Sequence, residues 1–134
     1  MDVKDWLARG RVAKLEIQAL LAARQEAFRL ACLPALGNGE RVQVSRENRQ
    51  EDKMVALVSL EEEIDRRVEN LYKILEEISR AVADVEDPSH RILLTERYIN
   101  FKTWEQVADS MGYDLRWVYR LHKKAVDAIA ERWQ

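Results

Sequence analysis

Four basic side chains lie close together near the end of this sequence, in a chain whose net charge is −2. They are Arg116, Arg120, Lys123 and Lys124, and no acidic residue lies between Leu115 and Lys124. A guanidinium group can donate two hydrogen bonds to guanine, and a lysine ammonium binds phosphate as a point charge. This segment therefore indicates nucleic-acid binding, and an amphipathic helix with a solvated basic face is the alternative.

The residues around this basic segment predict two helices joined by a tight turn. Thr103 is a candidate N-cap, and Gln106 follows at the spacing of a capping box. Gly112 fits a left-handed residue at the end of the first helix, and Asp114 can cap the second. This order is typical of a helix-turn-helix, which places its second helix in the DNA major groove.

The second helix is predicted to be amphipathic. Its inward stripe repeats at helical spacing and contains Val118, Leu121, Ala125 and Ile129. Its other face contains Arg116, Tyr119, Arg120 and Lys123. His122 is expected on the polar face, Trp104 is expected to pack against the preceding helix, and Trp117 fits either the core rim or a DNA contact. Trp133 is expected to dock on the helices that precede this unit.

Those preceding elements are predicted to be two long helices, residues 2–33 and 50–86, with a loop over 34–48. The second helix has an apolar seam that runs from Met54 to Val85 at alternating steps of three and four, which is typical of a coiled coil. It cannot bury this seam alone. We expect it to pair with the 2–33 helix as an antiparallel hairpin, and pairing with a second subunit as a homodimer stays open.

Pro88 fits the first turn of a further helix, residues 88–99, so that residues 88–134 form a three-helix unit. The predicted fold class is therefore all-α. A long antiparallel, coiled-coil-like helical hairpin over 1–87 is followed by a helix-turn-helix domain over 88–134.

Composition narrows the classes of function. Residues 49–87 carry six basic and twelve acidic residues, so DNA binding is expected nearer the ends of the chain. Cys32 is the only cysteine, which rules out an intrachain disulfide, and it is expected to be buried. No signal peptide or membrane-length apolar run is visible, which favours a cytoplasmic protein with no membrane partner.

No catalytic constellation appears in the sequence. There is no glycine-rich phosphate loop, nucleophile elbow or metal-ligand quartet. We therefore expect no enzyme activity, no cofactor and no metal site.

The last 47 residues resemble region four of bacterial sigma factors. The motifs that carry this resemblance are Arg97-Tyr98, Glu105-Gln-Val-Ala108, Met111-Gly112, Asp114 and Val118-Tyr-Arg120. Nearly the whole chain is similar to small proteins of phages and prophages of Gram-positive bacteria, described as sigma-region-four-like or ArpU-type late transcription regulators. The sigma regions that melt a promoter are absent, which argues against a complete sigma factor.

The resemblance implies binding of double-stranded promoter DNA by the last helix. Arg116 and Arg120 would read bases, and Leu115, Tyr119 and Lys123 would share their face. Lys102, Lys123 and Lys124 would hold phosphates, and Thr103 would do so through the helix N-terminus. Trp117 and Tyr119 stand at positions that are often basic in sigma factors. RNA polymerase or a host sigma factor is the protein partner that the resemblance implies.

Three hypotheses of function follow. The first is a sequence-specific DNA-binding regulator of transcription, of phage or prophage late genes. The second is a coiled-coil adaptor that binds polymerase or a sigma factor through the acidic 49–87 helix. The third is the DNA-recognition subunit of a phage packaging complex, for which a ring-shaped oligomer would be diagnostic.

Overall fold

The structure of the protein, a computed structural model, describes residues 1–33 and 40–133, and for residues 40–47 the backbone alone. The described chain is helical and contains no strand, which confirms the predicted all-α fold. In chain order the elements are α1 (Val3–Ala31), α2 (Glu40–Ala83), α3 (Pro88–Leu94), a π-helical turn (Thr95–Ile99), α4 (Trp104–Met111) and α5 (Leu115–Arg132).

The start of α2 differs from the prediction. The loop was expected to run to residue 48, but the helix already begins at Glu40. The segment from Glu40 to Asn48 contains no proline or glycine and is rich in glutamate, arginine and glutamine, which favour helix. Pro34, Gly37 and Gly39, which favour a loop, lie in the segment 34–39, outside the described residues. At its other end α2 stops at Ala83, three residues earlier than predicted.

The chain forms two compact units. One comprises Met1–Ala13 and Asn70–Gln134, and the other comprises Lys14–Glu69. The predicted division at residues 87 and 88 differs from this arrangement.

The core of the first unit explains the difference. Leu7 of α1 and Ile78 of α2 are both 0% exposed, and they share one cluster with the buried residues of α3, α4 and α5. Trp6 of α1 also meets Trp133 edge to face, with ring centroids 5.2 Å apart, which confirms that Trp133 docks on the hairpin. The three-helix unit therefore buries its apolar surface partly against the first turns of α1.

Gly10 marks a close approach inside this unit. A Cβ atom at Gly10 would lie 3.2 Å from Cδ2 of Leu75 and 3.6 Å from Cε1 of Phe101. Phe101 itself adopts a positive φ of 59°, which is uncommon for a residue with a side chain. The small residue in α1 thus allows both α2 and the segment before α4 to reach the helix backbone.

Replacing Gly10 with valine is expected to destabilise the protein by about 1–3 kcal/mol, because two γ-methyl groups would be forced into this contact. Chemical denaturation of the native protein and the variant measures the difference. Ala23→Val is the control, since Ala23 is an exposed position of the same helix and reports the helix propensity of valine alone. Equal losses in the two variants would contradict the packing explanation.

The second unit is an antiparallel pair of helix segments. Glu16 pairs with Arg67, and Nη1 of Arg24 lies 3.0 Å from Oε1 of Glu61. The later residue of α1 thus pairs with the earlier residue of α2, as it does when two helices run antiparallel. Of its residues whose side chains the structure describes, Ile17 and Ile64 are buried. Arg66 and Arg67 bind the carboxylate of Glu63 and lower the pKa of that group.

Apolar burial is incomplete toward the far end of the second unit. The predicted seam residue Met54 is 52% exposed, and Phe28 is 61% exposed. Leu21, Phe28 and Leu57 line an open groove of about 670 Å³. Cys32 is exposed, contrary to the expectation that it is buried, because the residues around it at the end of α1 find little cover.

Candidate functional site

Two capped helices form the predicted helix-turn-helix. The N–H of Gln106 donates to Oγ1 of Thr103 at 3.2 Å, and the N–H of Thr103 donates to Oε1 of Gln106 at 2.9 Å. This capping box starts α4 where the sequence predicted it. Gly112 ends the helix with a φ of 71°, and the N–H of Trp117 donates to Oδ1 of Asp114 at 2.8 Å to start α5.

The inward stripe of α5 is confirmed. Its four predicted residues, Val118, Leu121, Ala125 and Ile129, are all buried. Val107 and Ala108 of α4 are buried against the same core, and Met111 is half-buried. Because one side of α5 is fixed in this way, its opposite side is held toward solvent.

The solvent side of α5 carries the predicted basic residues. Arg116, Arg120 and Lys123 are exposed, and none of their side chains has a hydrogen bond or ion pair to a described residue. Arg116 and Arg120 are one helical turn apart and lie on neighbouring positions of one face. Tyr119 is 47% exposed on the same segment, and Leu115 is half-buried. The result is a face of uncompensated positive charge with an aromatic side chain beside it.

Trp117 lies outside the core, at the edge of this face. It is 41% exposed, and its ring meets Tyr113 edge to face at 6.3 Å. The ammonium of Lys124 stands 5.7 Å from the centroid of the Trp117 ring. Of its two predicted environments, the core rim and the DNA-facing surface, exposure favours the surface.

Trp104 joins the π-helical turn, α4 and α5. The guanidinium of Arg97 lies 4.4 Å above its ring, and the rings of Tyr119 and His122 meet it edge to face at 5.6 and 4.6 Å. The predicted packing of Trp104 against the preceding helix is therefore found, through Arg97. Arg97 also donates from Nη1 to the carbonyl oxygen of Lys102 at 2.8 Å, which fixes the segment that leads into α4.

His122 is buried, which corrects its predicted place on the polar face. It is four residues from Val118 and next to Leu121, so it shares their side of α5. Its Nε2 lies 2.6 Å from the hydroxyl of Tyr98. Burial, with Lys4 and Arg97 nearby, lowers the pKa of His122 to about 4, and burial raises the pKa of Tyr98 to about 12. Near neutral pH this hydrogen bond therefore joins a neutral tyrosine hydroxyl to an uncharged imidazole, and the imidazole tautomer sets which of the two groups donates.

The residues that precede α4 already have partners within the protein. The ammonium of Lys102 contacts the carboxylate of Glu96 and lies 3.0 Å from Oγ of Ser110, and this contact lowers the pKa of Glu96. The hydroxyl of Thr103 accepts the capping bond. A phosphate contact from Lys102 would have to compete with Glu96, so the stronger candidates for phosphate binding are Lys123 and Lys124.

The burial of His122 could have been predicted from its spacing. His122 follows Val118 by four positions, and this step places the histidine on the buried side of α5. The stacking of Arg97 on Trp104 has no such local signal, because it joins different elements.

Other kinds of site find less support among the described residues. In that part of the chain no three histidine, cysteine or acidic side chains are grouped as metal ligands would be. No described helix combines the length and apolar character that crossing a membrane requires.

Comparison with known protein families gives a match. Residues 35–130 match the family described as "Protein of unknown function (DUF1492)". No curated protein and no solved structure matches the chain. Since the match includes all of α2 and nearly all of the C-terminal helices, the chain belongs to the DUF1492 family.

Proposed function

We propose that this protein binds double-stranded DNA in a sequence-specific manner through α5 and thereby regulates transcription. The observation that carries the proposal is the set of three unpaired cationic side chains, Arg116, Arg120 and Lys123, on the solvent side of a capped helix. A helix held in this way fits the major groove, where arginine pairs with guanine and lysine with phosphate.

The resemblance to sigma region four gives the proposal its context. Phage or prophage promoters are the proposed targets, in the cytoplasm of a bacterium, with RNA polymerase or a host sigma factor as the protein partner. Since the resemblance alone supports the partner and the setting, DNA binding by α5 is the part to test first.

The test is selection of the purified protein against a random duplex library at near-physiological salt. The native protein is expected to enrich a sequence motif. Arg116→Ala and Arg120→Ala are each expected to lose about 1–3 kcal/mol of discrimination at one position of that motif, because each removes a guanidinium that would read a base.

Arg132→Ala is the matched control, since Arg132 is an exposed arginine of the same helix outside this face. It should leave the motif unchanged. Enrichment of the same motif by all three variants would contradict base reading by α5, and no enrichment by the native protein would contradict sequence-specific binding.

The adaptor hypothesis keeps one specific observation in its favour, the exposed apolar groove beside Phe28. The acidic residues predicted to serve it are less suited, because Glu61 pairs with Arg24 and Glu63 pairs with Arg66 and Arg67. Complex formation with polymerase in the absence of DNA would favour this second function.

A further inference from the structure

A second basic surface lies beside the helix-turn-helix, on α1. Gly10 is buried and its backbone is approached by the ring of Phe101. Arg11 directly follows Gly10, and Lys102 directly follows Phe101. This contact therefore brings the first turns of α1 next to the segment that leads into α4.

Lys4 and Arg11 are the exposed basic residues of this part of α1. They are seven positions apart, so they lie on nearly the same side of the helix, about 10 Å apart along its axis. Neither has a hydrogen bond or ion pair to a residue in the described part of the chain. Arg9, which lies between them in sequence, instead forms an ion pair, and its Nη2 lies 2.7 Å from Oε2 of Glu77.

The two residues lie close to side chains that pack against Trp104: Arg11 lies close to Arg97, and Lys4 lies close to His122. The charge of Arg11 lowers the pKa of Arg97, after the larger effect of burial, and Lys4 acts on His122 in the same direction. The like charges of Arg11 and Arg97 are a cost to the folded protein. An anion bound beside Arg11 would relieve it.

We propose that Lys4 and Arg11 form a second phosphate-binding surface, so that bound DNA contacts α1 as well as α5. This inference rests on the proposed function, and it enlarges the DNA footprint beyond the helix-turn-helix. The axial distance between the two residues equals the rise of about three base pairs, and phosphate contacts of this kind hold the protein in position without reading sequence.

The experiment measures binding to a mixed-sequence 30-base-pair duplex between low and physiological salt, for the native protein and for the double variant Lys4→Gln, Arg11→Gln. Each phosphate contact contributes about 0.9 to the slope of log K against log salt concentration. The double variant is expected to have a slope less steep by about 1.8 and to bind at least about tenfold more weakly at 0.1 M salt.

The matched control is Lys73→Gln, Arg80→Gln. These residues have the same types, the same spacing and the same exposure on α2, and their replacement changes the net charge equally. The control is expected to retain most of the native affinity and slope. An equal loss in the two double variants would overturn the inference, because the effect would then come from net charge alone.

Three further results would overturn the inference. If the α1 variant binds the duplex as the native protein does, while Arg120→Ala weakens binding, then α1 makes no contact and the proposed function stands. Unchanged duplex binding with lost binding to poly-glutamate would instead assign this surface to an acidic protein. If the native protein binds no duplex at any salt concentration, the proposed function fails as well.

Discussion

Replacing Leu7 with alanine is expected to destabilise the helix-turn-helix, although Leu7 lies near the start of α1. The side chain is 0% exposed, in a cluster that includes buried residues of α3, α4 and α5. Removing a fully buried leucine side chain beyond Cβ costs about 2–5 kcal/mol, since apolar contacts are lost and a cavity remains. Thermal unfolding should shift downward by roughly 10 °C.

Leu15→Ala is the control, because Leu15 is 52% exposed on the same helix. It should change the unfolding free energy by less than about 1 kcal/mol. Hydrogen exchange at the amides of Val118 and Leu121 identifies where the loss occurs. If residues 88–134 were an independent domain, Leu7→Ala would leave the exchange of these amides unchanged, and that result would contradict the shared core.

The stability of the protein is expected to fall as the pH is lowered from about 6.5 to about 4, because of His122. Its pKa is about 4 in the folded protein, against an ordinary value of 6.5. In this interval the unfolded chain takes up a proton at His122 that the folded chain does not, so unfolding is favoured. The contribution is fully lost at about pH 4 and amounts to about 3 kcal/mol.

Urea denaturation across this pH range, for the native protein and His122→Gln, measures the effect. The carboxylates are the same in the two proteins, so the comparison isolates His122. His122→Gln should show a weaker pH dependence than the native protein. Equal pH dependence in the native protein and His122→Gln would contradict the assignment.

The helix-turn-helix could be predicted from sequence because its signals are local. Thr103 and Gln106 cap α4, Gly112 adopts the left-handed conformation, and Asp114 caps α5, each acting within a few residues. The inward stripe of α5 follows from helical spacing in the same way. The solvent-facing positions of Arg116 and Arg120 follow in turn, since they are what the stripe leaves outside.

Contacts between residues that are distant in the sequence were harder to predict. The sequence gives no local sign that Leu7 packs with α5, because the two are distant in the chain and meet only in the folded core. The ion pair between Lys102 and Glu96 could not be predicted for a similar reason, since it depends on the π-helical turn that places Lys102 beside Glu96. The predicted phosphate role of Lys102 thus rested on charge without knowledge of its partner.

The contact between Trp6 and Trp133 has a consequence for synthesis of the protein. Its two partners are separated by nearly the whole of this sequence, and the core that Leu7 enters also needs Ile129. While the ribosome is still translating the segment around Trp133, α1 has no completed surface on which to dock. The Lys14–Glu69 pair of helices can form earlier, so assembly of the unit that contains α5 waits until the segment around Trp133 has been synthesised.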